Sequence, residues 1–518
     1  MEQMRQLPTG IQSFEVLRKD GYLYVDKTAM IYRLAFTSIP YFLSRPRRFG
    51  KSLLLSAFKA YFEGRKDLFE GLAIAELEEK WEQYPVLYLD LNAENFDSIA
   101  SLEAILSRNL KQWESLYEID RIEETLAGRF EGIVRRAYEK TGKRVVVLID
   151  EYDKPMLSVI LNEQLTNDYR NMLKAFFGVL KSSGQYLRFL FITGVTKFAQ
   201  VSVFSDLNHL TDISLKHDYF SLCGISKNEL LQFLSPELKI LAEKNKMNFD
   251  EAVAKMTQQY DGYHFAPGAD GMFNPFSVLN ALKFRDFDNY WFQTGTPTYL
   301  VSLLKESNYD LRLLIDGIKL KPSDFAEYRA DINNPIPMLY QSGYLTITGY
   351  DEKFSMYSLG FPNEEVKYGF LNFLIPYYTA VTNGTGSFHI AEFCRELEAG
   401  DTEAFMNRLK VFFADMSYEL NNNNEKHYQA IFYVVFSLMG QYIEAEVRSA
   451  EGRADAVVKT RDIIYVFEFK LNGSAEKALC QIDDKDYLIP YQLDGRKLVK
   501  VGVEVSKKKR NINRFIAK

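Results

Sequence analysis

Short apolar runs alternate with longer stretches of helical period through the first 218 residues. The strand candidates lie at 41–44, 86–90, 145–149 and 189–193, with a weaker one at 212–215. Continuous apolar strands separated by helices predict a parallel sheet covered on both faces. From 219 to 420 the pattern is mostly helical, with clear signals at 227–233 and 298–305. Around 339–360 it changes to two strand-like runs joined by a short turn. A helix precedes them and another, 364–373, follows, which predicts a winged-helix-like module. The polar run Asn421, Asn422, Asn423, Asn424 breaks the pattern. Beyond it a small α/β region is predicted: helix 425–440, strands through about 458 and at 463–469, helix 474–488 and strand 498–505. The expectation is an α/β multidomain chain divided at 1–218, 219–420 and 421–518. No repeat of solenoid period and no low-complexity segment interrupts it.

At 518 residues the chain is long enough for three or four domains of roughly 100–200 residues each. Its 47% apolar and 14% aromatic content argues against disorder. The three cysteines, Cys223, Cys394 and Cys480, are widely spaced and form neither a disulfide framework nor a Cys-x-x-Cys pair. With no signal-like start and no apolar run of about 18 residues, the expectation is a soluble, cytoplasmic protein that avoids membranes. The net charge of −6 supplies no general attraction to nucleic acid. The distribution is uneven, however. From 421 onward there are 17 Lys/Arg against 13 Asp/Glu, leaving 46 against 56 elsewhere. Lys507, Lys508, Lys509, Arg510 and Arg514 form a terminal basic run, suited to phosphate backbones or simply to solvation.

The first candidate site follows the strand at 41–44. Gly50-Lys51-Ser52 opens an apolar helix, where unpaired N–H groups and the positive dipole end meet an anion. Lys51 suits the β- and γ-phosphates and the Ser52 hydroxyl suits magnesium. Arg45 stands where this loop usually has its first glycine, and Arg45, Arg47 or Arg48 are candidates for extra charge. The second element is Asp150-Glu151 at the end of the strand at 145–149. Asp150 is the expected magnesium partner and Glu151 the base for an attacking water, although either carboxylate alone also fits a helix cap. One strand intervenes between the two motifs. Thr193, at the end of the following strand, is the candidate γ-phosphate sensor, with Thr196 and Lys197 just beyond. The expected nucleotide-binding set is thus Arg47, Arg48, Phe49, Gly50, Lys51, Ser52, Asp150 and Thr193, with ATP and Mg2+ as cofactors.

The second constellation is Asp455, Glu468 and Lys470, with Gln481 and Tyr487 downstream and Glu425 as an accessory carboxylate. Glu468 and Lys470 are two apart on a strand and share a face. Asp455 and Glu468 are candidates to share a hard divalent ion beside Lys470, the arrangement for metal-assisted phosphodiester hydrolysis. Glu-x-Lys on a strand also fits a plain same-face ion pair.

These motifs resemble a bacterial family of AAA-ATPase-like proteins with a C-terminal PD-(D/E)XK nuclease superfamily domain. The matching strings include L-P-T-G-I-Q-S-F from Leu7, Y-V-D-K-T from Tyr24, R-P-R-R-F-G-K-S from Arg45, I-D-E-Y-D-K-P from Ile149 and T-G-V-T-K-F from Thr193. Further matches are Y-D-G-Y-H-F from Tyr260, N-P-F-S from Asn274, Y-W-F-Q-T-G-T-P-T from Tyr290, G-R-A-D from Gly452, F-E-F-K from Phe467 and Q-I-D-D-K-D-Y from Gln481. The resemblance implies a P-loop NTPase fold, ATP with magnesium at the first site and a nuclease-like metal site at the second. It makes the middle region a lid, with His264 either a phosphate contact or a packed core residue. Tyr24-Val-Asp-Lys-Thr28 then either borders the adenine or forms a capped turn. Two functions are consistent with this: a nucleotide cycle controlling a nuclease that acts on DNA, or a nucleotide-dependent switch whose nuclease-like domain is an inactive binding module. Oligomerisation is compatible with both.

Overall fold

The computed structural model describes residues 5–92, 96–117, 123–197, 210–293, 300, 303–304, 314, 317–326, 334–378, 383–414, 425–447, 454–471, 473–506 and 511–518. Five strands build the first sheet: β1 (Tyr41–Ser44), β2 (Val86–Asp90), β3 (Val145–Asp150), β4 (Leu187–Gly194) and β5 (Thr211–Asp212). Their order is β2-β3-β4-β1-β5, and every described pair is parallel. β3 is buried along its whole length, as a central parallel strand under helices must be. Phe58 and Phe62, on the helix Lys51–Phe62, pack on Phe189 and Phe191 of β4. Phe130 and Phe176 stack between the helices Leu126–Thr141 and Glu163–Ser182.

Register decides where the chemistry lies. Leu43 aligns with Thr193, Ile149 with Ile192 and Asp90 with Asp150, so β1 to β4 end at one rim. Loops leaving the carboxyl ends of parallel strands gather there.

β6 (Ile225–Ser226) and β7 (Met272–Phe273) pair antiparallel beside a helical cluster. The helices Lys227–Lys244 and Phe249–Tyr260 each start with a capping box, Ser226/Glu229 and Asn248/Glu251, which satisfies otherwise orphaned N–H groups. Leu230, Leu234, Leu238, Leu241, Met256 and Tyr260 form their apolar seam. β8 (Ile318–Leu320) comes next in the chain. The helix Ile336–Gln341 then leads into an antiparallel hairpin of β9 (Thr346–Asp351) and β10 (Met356–Gly360), and the helix Glu364–Tyr378 follows. This is the winged-helix-like order expected from the alternating pattern. The helical signal at 298–305 falls largely outside the described residues.

The last sheet has the order β11 (Glu444–Val447), β12 (Ala456–Lys459), β13 (Ile463–Leu471), β14 (Lys497–Ser506), β15 (Asn511–Ala517). Only β13 and β14 run parallel, joined by a crossover containing the helix Ala475–Asp484. β11 lies within the strands expected through about 458, whereas no strand is expected from the sequence at β15.

The chain gathers into two compact units, Met1–Ser307 with Lys319–Glu365, and Asn308–Ile318 with Val366–Lys518. Three domains were expected. The helices Asn383–Glu398 and Thr402–Ala414 belong with the C-terminal sheet because its aromatic face needs cover: Phe405 packs on Phe436 and Phe467. The Tyr465 hydroxyl also donates to the Leu397 carbonyl at 2.9 Å. The expected break at Asn421 to Asn424 lies outside the described residues, as do Lys507 to Arg510 of the basic run. Arg514 pairs with Glu476 at 2.7 Å. No described helix is long and apolar enough to cross a membrane.

Gly502 lets the helix Ala475–Asp484 approach β14. A Cβ there would stand 2.4 Å from the Ala475 carbonyl and 2.9 Å from the Leu479 side chain. Gly502→Ala is expected to destabilise the C-terminal unit by about 1–3 kcal/mol, the usual scale of overpacking, read as a lower urea midpoint.

Candidate nucleotide and metal sites

Gly50 caps the helix Lys51–Phe62 with φ 90° and ψ 20°, a left-handed conformation that glycine adopts without a Cβ penalty. The space beside it is open, so the backbone conformation selects glycine and crowding does not. Lys51 follows, buried, its Nζ donating to the carbonyls of Arg45 (3.0 Å) and Pro46 (3.2 Å). An ammonium has three protons, so one remains for a further acceptor.

Arg45 is a structural residue and supplies no charge to the loop. Its buried guanidinium donates to the carbonyls of Ser44, Ser214 and Tyr219 and lies 4.1 Å above the Phe265 ring. Phe49 also departs from its expected role as a nucleotide contact: its ring is 1% exposed and packs edge-on against Tyr263 and Phe265.

At the neighbouring strand ends, Asp150 is buried beneath two hydroxyls. Thr193 Oγ1 donates to its Oδ1 at 2.6 Å and Tyr88 to its Oδ2 at 3.3 Å. Each carboxylate oxygen retains a lone pair for a water or an ion. Thr193 is fully buried and spends its proton on Asp150, so it orients that carboxylate and is absent from the cavity wall. Asp153 ties the two strand ends together. It accepts from the backbone N–H groups of Val195 (3.0 Å) and Thr196 (2.5 Å), and burial pushes its carboxyl up to about 6. A Cβ on Gly194 would stand 2.7 Å from Asp153 Oδ1. Lys197 pairs with Asp212.

Above this rim opens a cavity of about 320 Å³. Arg47, Arg48, Gly50, Lys51 and Ser52 line it from the phosphate loop and Glu151 from the end of β3. Pro8, Gly10, Ile11, Gln12, Leu53, Asn92, Lys154, Pro275, Phe276 and Leu279 complete the wall. None of these ten is among the residues expected from the sequence. Most fall in or beside strings shared with the family, but residues hundreds of positions apart carry no signal of meeting. Arg48 has φ 68° and lies 4.9 Å over the Phe276 ring. Glu151 has φ 48°, a strained value for a residue with a side chain.

His264 lies elsewhere. Its Nδ1 is 2.8 Å from the Ala269 carbonyl, its backbone N–H donates to Thr346, and it lines a separate, water-sized cavity with Arg45 and Gln341. Tyr24-Val-Asp-Lys-Thr28 forms a capped turn. Asp26 accepts from the Thr28 N–H and hydroxyl and from the Ala73 N–H.

In the second unit the structure brings Asp455, Glu468, Lys470, Gln481 and Tyr487 together. Asp455 precedes β12, whose Ala456 aligns with Phe467, and its Oδ2 accepts from the Phe469 N–H at 2.9 Å. Lys470 Nζ donates to Glu468 Oε1 at 3.1 Å and to Gln481, whose amide donates to the Tyr487 hydroxyl at 3.4 Å. Glu468 is 2% exposed and its Oε2 has no partner. Burial, then the Asp455 charge, push its carboxyl up to about 7. A buried orphan oxygen beside a second carboxylate suits a divalent ion. Glu425 opens the helix Glu425–Met439, but its side chain lies outside the described residues.

Comparison with known proteins agrees with this division. Residues 8–204 match a family described as a predicted AAA-ATPase, and residues 423–515 match the PD-(D/E)XK nuclease superfamily. The chain is 33% identical over 527 residues to an uncharacterized protein in the vnfD 5' region of Azotobacter chroococcum mcd 1, covering 99% of this chain and 98% of that one. Among solved structures it is similar to the Aeropyrum pernix ORC2 protein in its ADPNP–ADP complexes, with 12% identity, 70% of this chain and 92% of that chain covered and a TM-score of 0.22. At that score the likeness carries no argument.

Glu365 links the cavity-lining helix Pro275–Phe284 to Trp291, accepting from the Ser277 hydroxyl and the Trp291 N–H, each at 2.7 Å. Burial pushes its carboxyl from 4.5 up to about 7. A raised carboxyl favours the fold when protonated, so stability declines as pH climbs from 4.5 through 7. Glu365→Gln is expected to flatten that decline, gaining up to roughly 3 kcal/mol at alkaline pH, measured by urea unfolding across the range.

Proposed function

Because this chain belongs to the family of AAA-ATPase-like proteins with a C-terminal PD-(D/E)XK nuclease superfamily domain, we propose that it binds and hydrolyses ATP with magnesium, and that this cycle controls a metal-dependent nuclease-like site acting on DNA. One observation carries the first half: Lys51 and Ser52 line a single cavity with Glu151, which lies far from them in the chain. Lys51 holds the β- and γ-phosphates, exchanging loop carbonyls for phosphate oxygens. Ser52 and Asp150 would hold magnesium, which when bound neutralises phosphate charge. Glu151, which lines the cavity, orients a water and accepts its proton.

The second half is supported by the orphaned Glu468 Oε2 beside Asp455. These two carboxylates would hold a divalent ion, which when bound polarises a phosphodiester. Lys470, positioned by Glu468 and Gln481, offers its ammonium to the phosphate.

Lys51→Ala is expected to lower ATP turnover by about 10²-fold or more, read as phosphate release. Asp455→Ala and Lys470→Ala should each abolish DNA cleavage assayed with magnesium or manganese, while leaving ATP turnover intact. Cleavage that survives both substitutions overturns the nuclease assignment. ATP turnover without cleavage by the native protein would make the C-terminal domain a binding module.

A further inference from the structure

The nucleotide cavity holds more positive charge than the phosphate loop accounts for. Arg47, Arg48 and Lys51 come from that loop, but Lys154 comes from the turn that follows β3. Glu151 is the one carboxylate among the lining residues, leaving a formal excess of three positive charges. A cavity wall carrying that excess suits a polyphosphate.

Lys154 differs from the other three in what it is joined to. Its backbone N–H donates to the Glu151 carbonyl at 3.0 Å, so lysine and glutamate stand on one tight turn. Their side chains form no ion pair within 4.0 Å, and among the described residues the Lys154 ammonium meets no acceptor. Here the left-handed φ of 48° at Glu151 accompanies two side chains that both reach the cavity unpaired. Strain held at such a position is a mark of a functional turn.

We infer that Lys154 is a further catalytic residue of the ATP site, contacting the terminal phosphate from the Glu151 side, so that turnover proceeds within a single chain without an arginine from a neighbour. The inference rests on the proposed ATP site. The water oxygen forms a bond to the terminal phosphorus as the bond from that phosphorus to the bridging oxygen breaks. The bridging oxygen keeps the electron pair and leaves as part of ADP. One water proton passes to Glu151 and then to the released phosphate. Negative charge shifts toward the bridging and terminal oxygens during this step, and a cation fixed on the turn of the base stabilises it. Lys51 and Lys154 then hold the terminal phosphate from two chain segments while the water–phosphorus bond forms and the bond to the bridging oxygen breaks.

The test uses the full-length protein with magnesium, comparing phosphate release and calorimetric binding of ATP and ADP for the native chain, Lys154→Ala and Lys154→Arg. Lys154→Ala should lose about 10²-fold or more in turnover while keeping ADP affinity, which also reports that the site is folded. Its preference for ATP over ADP should shrink, and Lys154→Arg should recover much of the rate. Turnover per chain should stay constant as protein concentration is raised. Native turnover in Lys154→Ala overturns the inference, as does activity regained by mixing Lys154→Ala with Lys51→Ala, which would show a residue acting between chains. If the native protein binds ATP without turning it over, an unchanged ATP-to-ADP affinity ratio in Lys154→Ala overturns it. Absence of nucleotide binding by the native protein defeats the ATP site itself, and the lysine's role with it.

Discussion

β4 is bonded along one edge to β1 and along the other to β3, and this ladder sets the position of every group at the nucleotide rim. Parallel pairing fixes Leu43 opposite Thr193 and Ile149 opposite Ile192. Because a one-residue slip would turn each strand's side chains to the other face, burial on both sides holds the register firmly. Two short clamps extend it beyond the strands. Thr193 donates to Asp150, and Asp153 receives the backbone of Val195 and Thr196. The loop after β1 and the ends of β3 and β4 are thereby held at one rim.

The buried charges at this rim divide by what they touch. Arg45 donates to three backbone carbonyls while its Nε has no partner, and Asp153 accepts from two backbone N–H groups, so both serve the architecture. Lys51 is buried with one proton uncommitted, while Glu151 and Lys154 reach the cavity without partners. Groups left incomplete inside a cavity are those with affinity to spare for a ligand. The same distinction holds in the second unit, where Lys470 is bonded on two sides but Glu468 keeps an orphaned oxygen.

Helical segments beyond the sheet contribute in a different way. The helix Pro275–Phe284 presents Pro275, Phe276 and Leu279 to the cavity and is anchored through Ser277 to Glu365. Arg48 lies over Phe276, so a residue of the phosphate loop touches the helical region directly.

Apolar runs in the sequence locate β1 to β4, β13 and β14, because strand-length apolar stretches set between helical patterns fit buried strands of a sheet. The sequence also singled out Lys51, Ser52, Glu151, Asp455, Glu468 and Lys470, which the structure gathers into two separate clusters. Tertiary structure decided the rest. Phe49 and Arg45 sit inside the loop motif yet face a core, because side-chain direction depends on a loop conformation that the string of letters does not encode. His264 packs against Ala269 and Thr346 because its segment pairs with β7 and follows that strand's path. Pro8 to Gln12, Asn92, Lys154 and Phe276 meet only when the chain closes around the cavity. Proximity across long separations is a property of packing, and local pattern cannot express it.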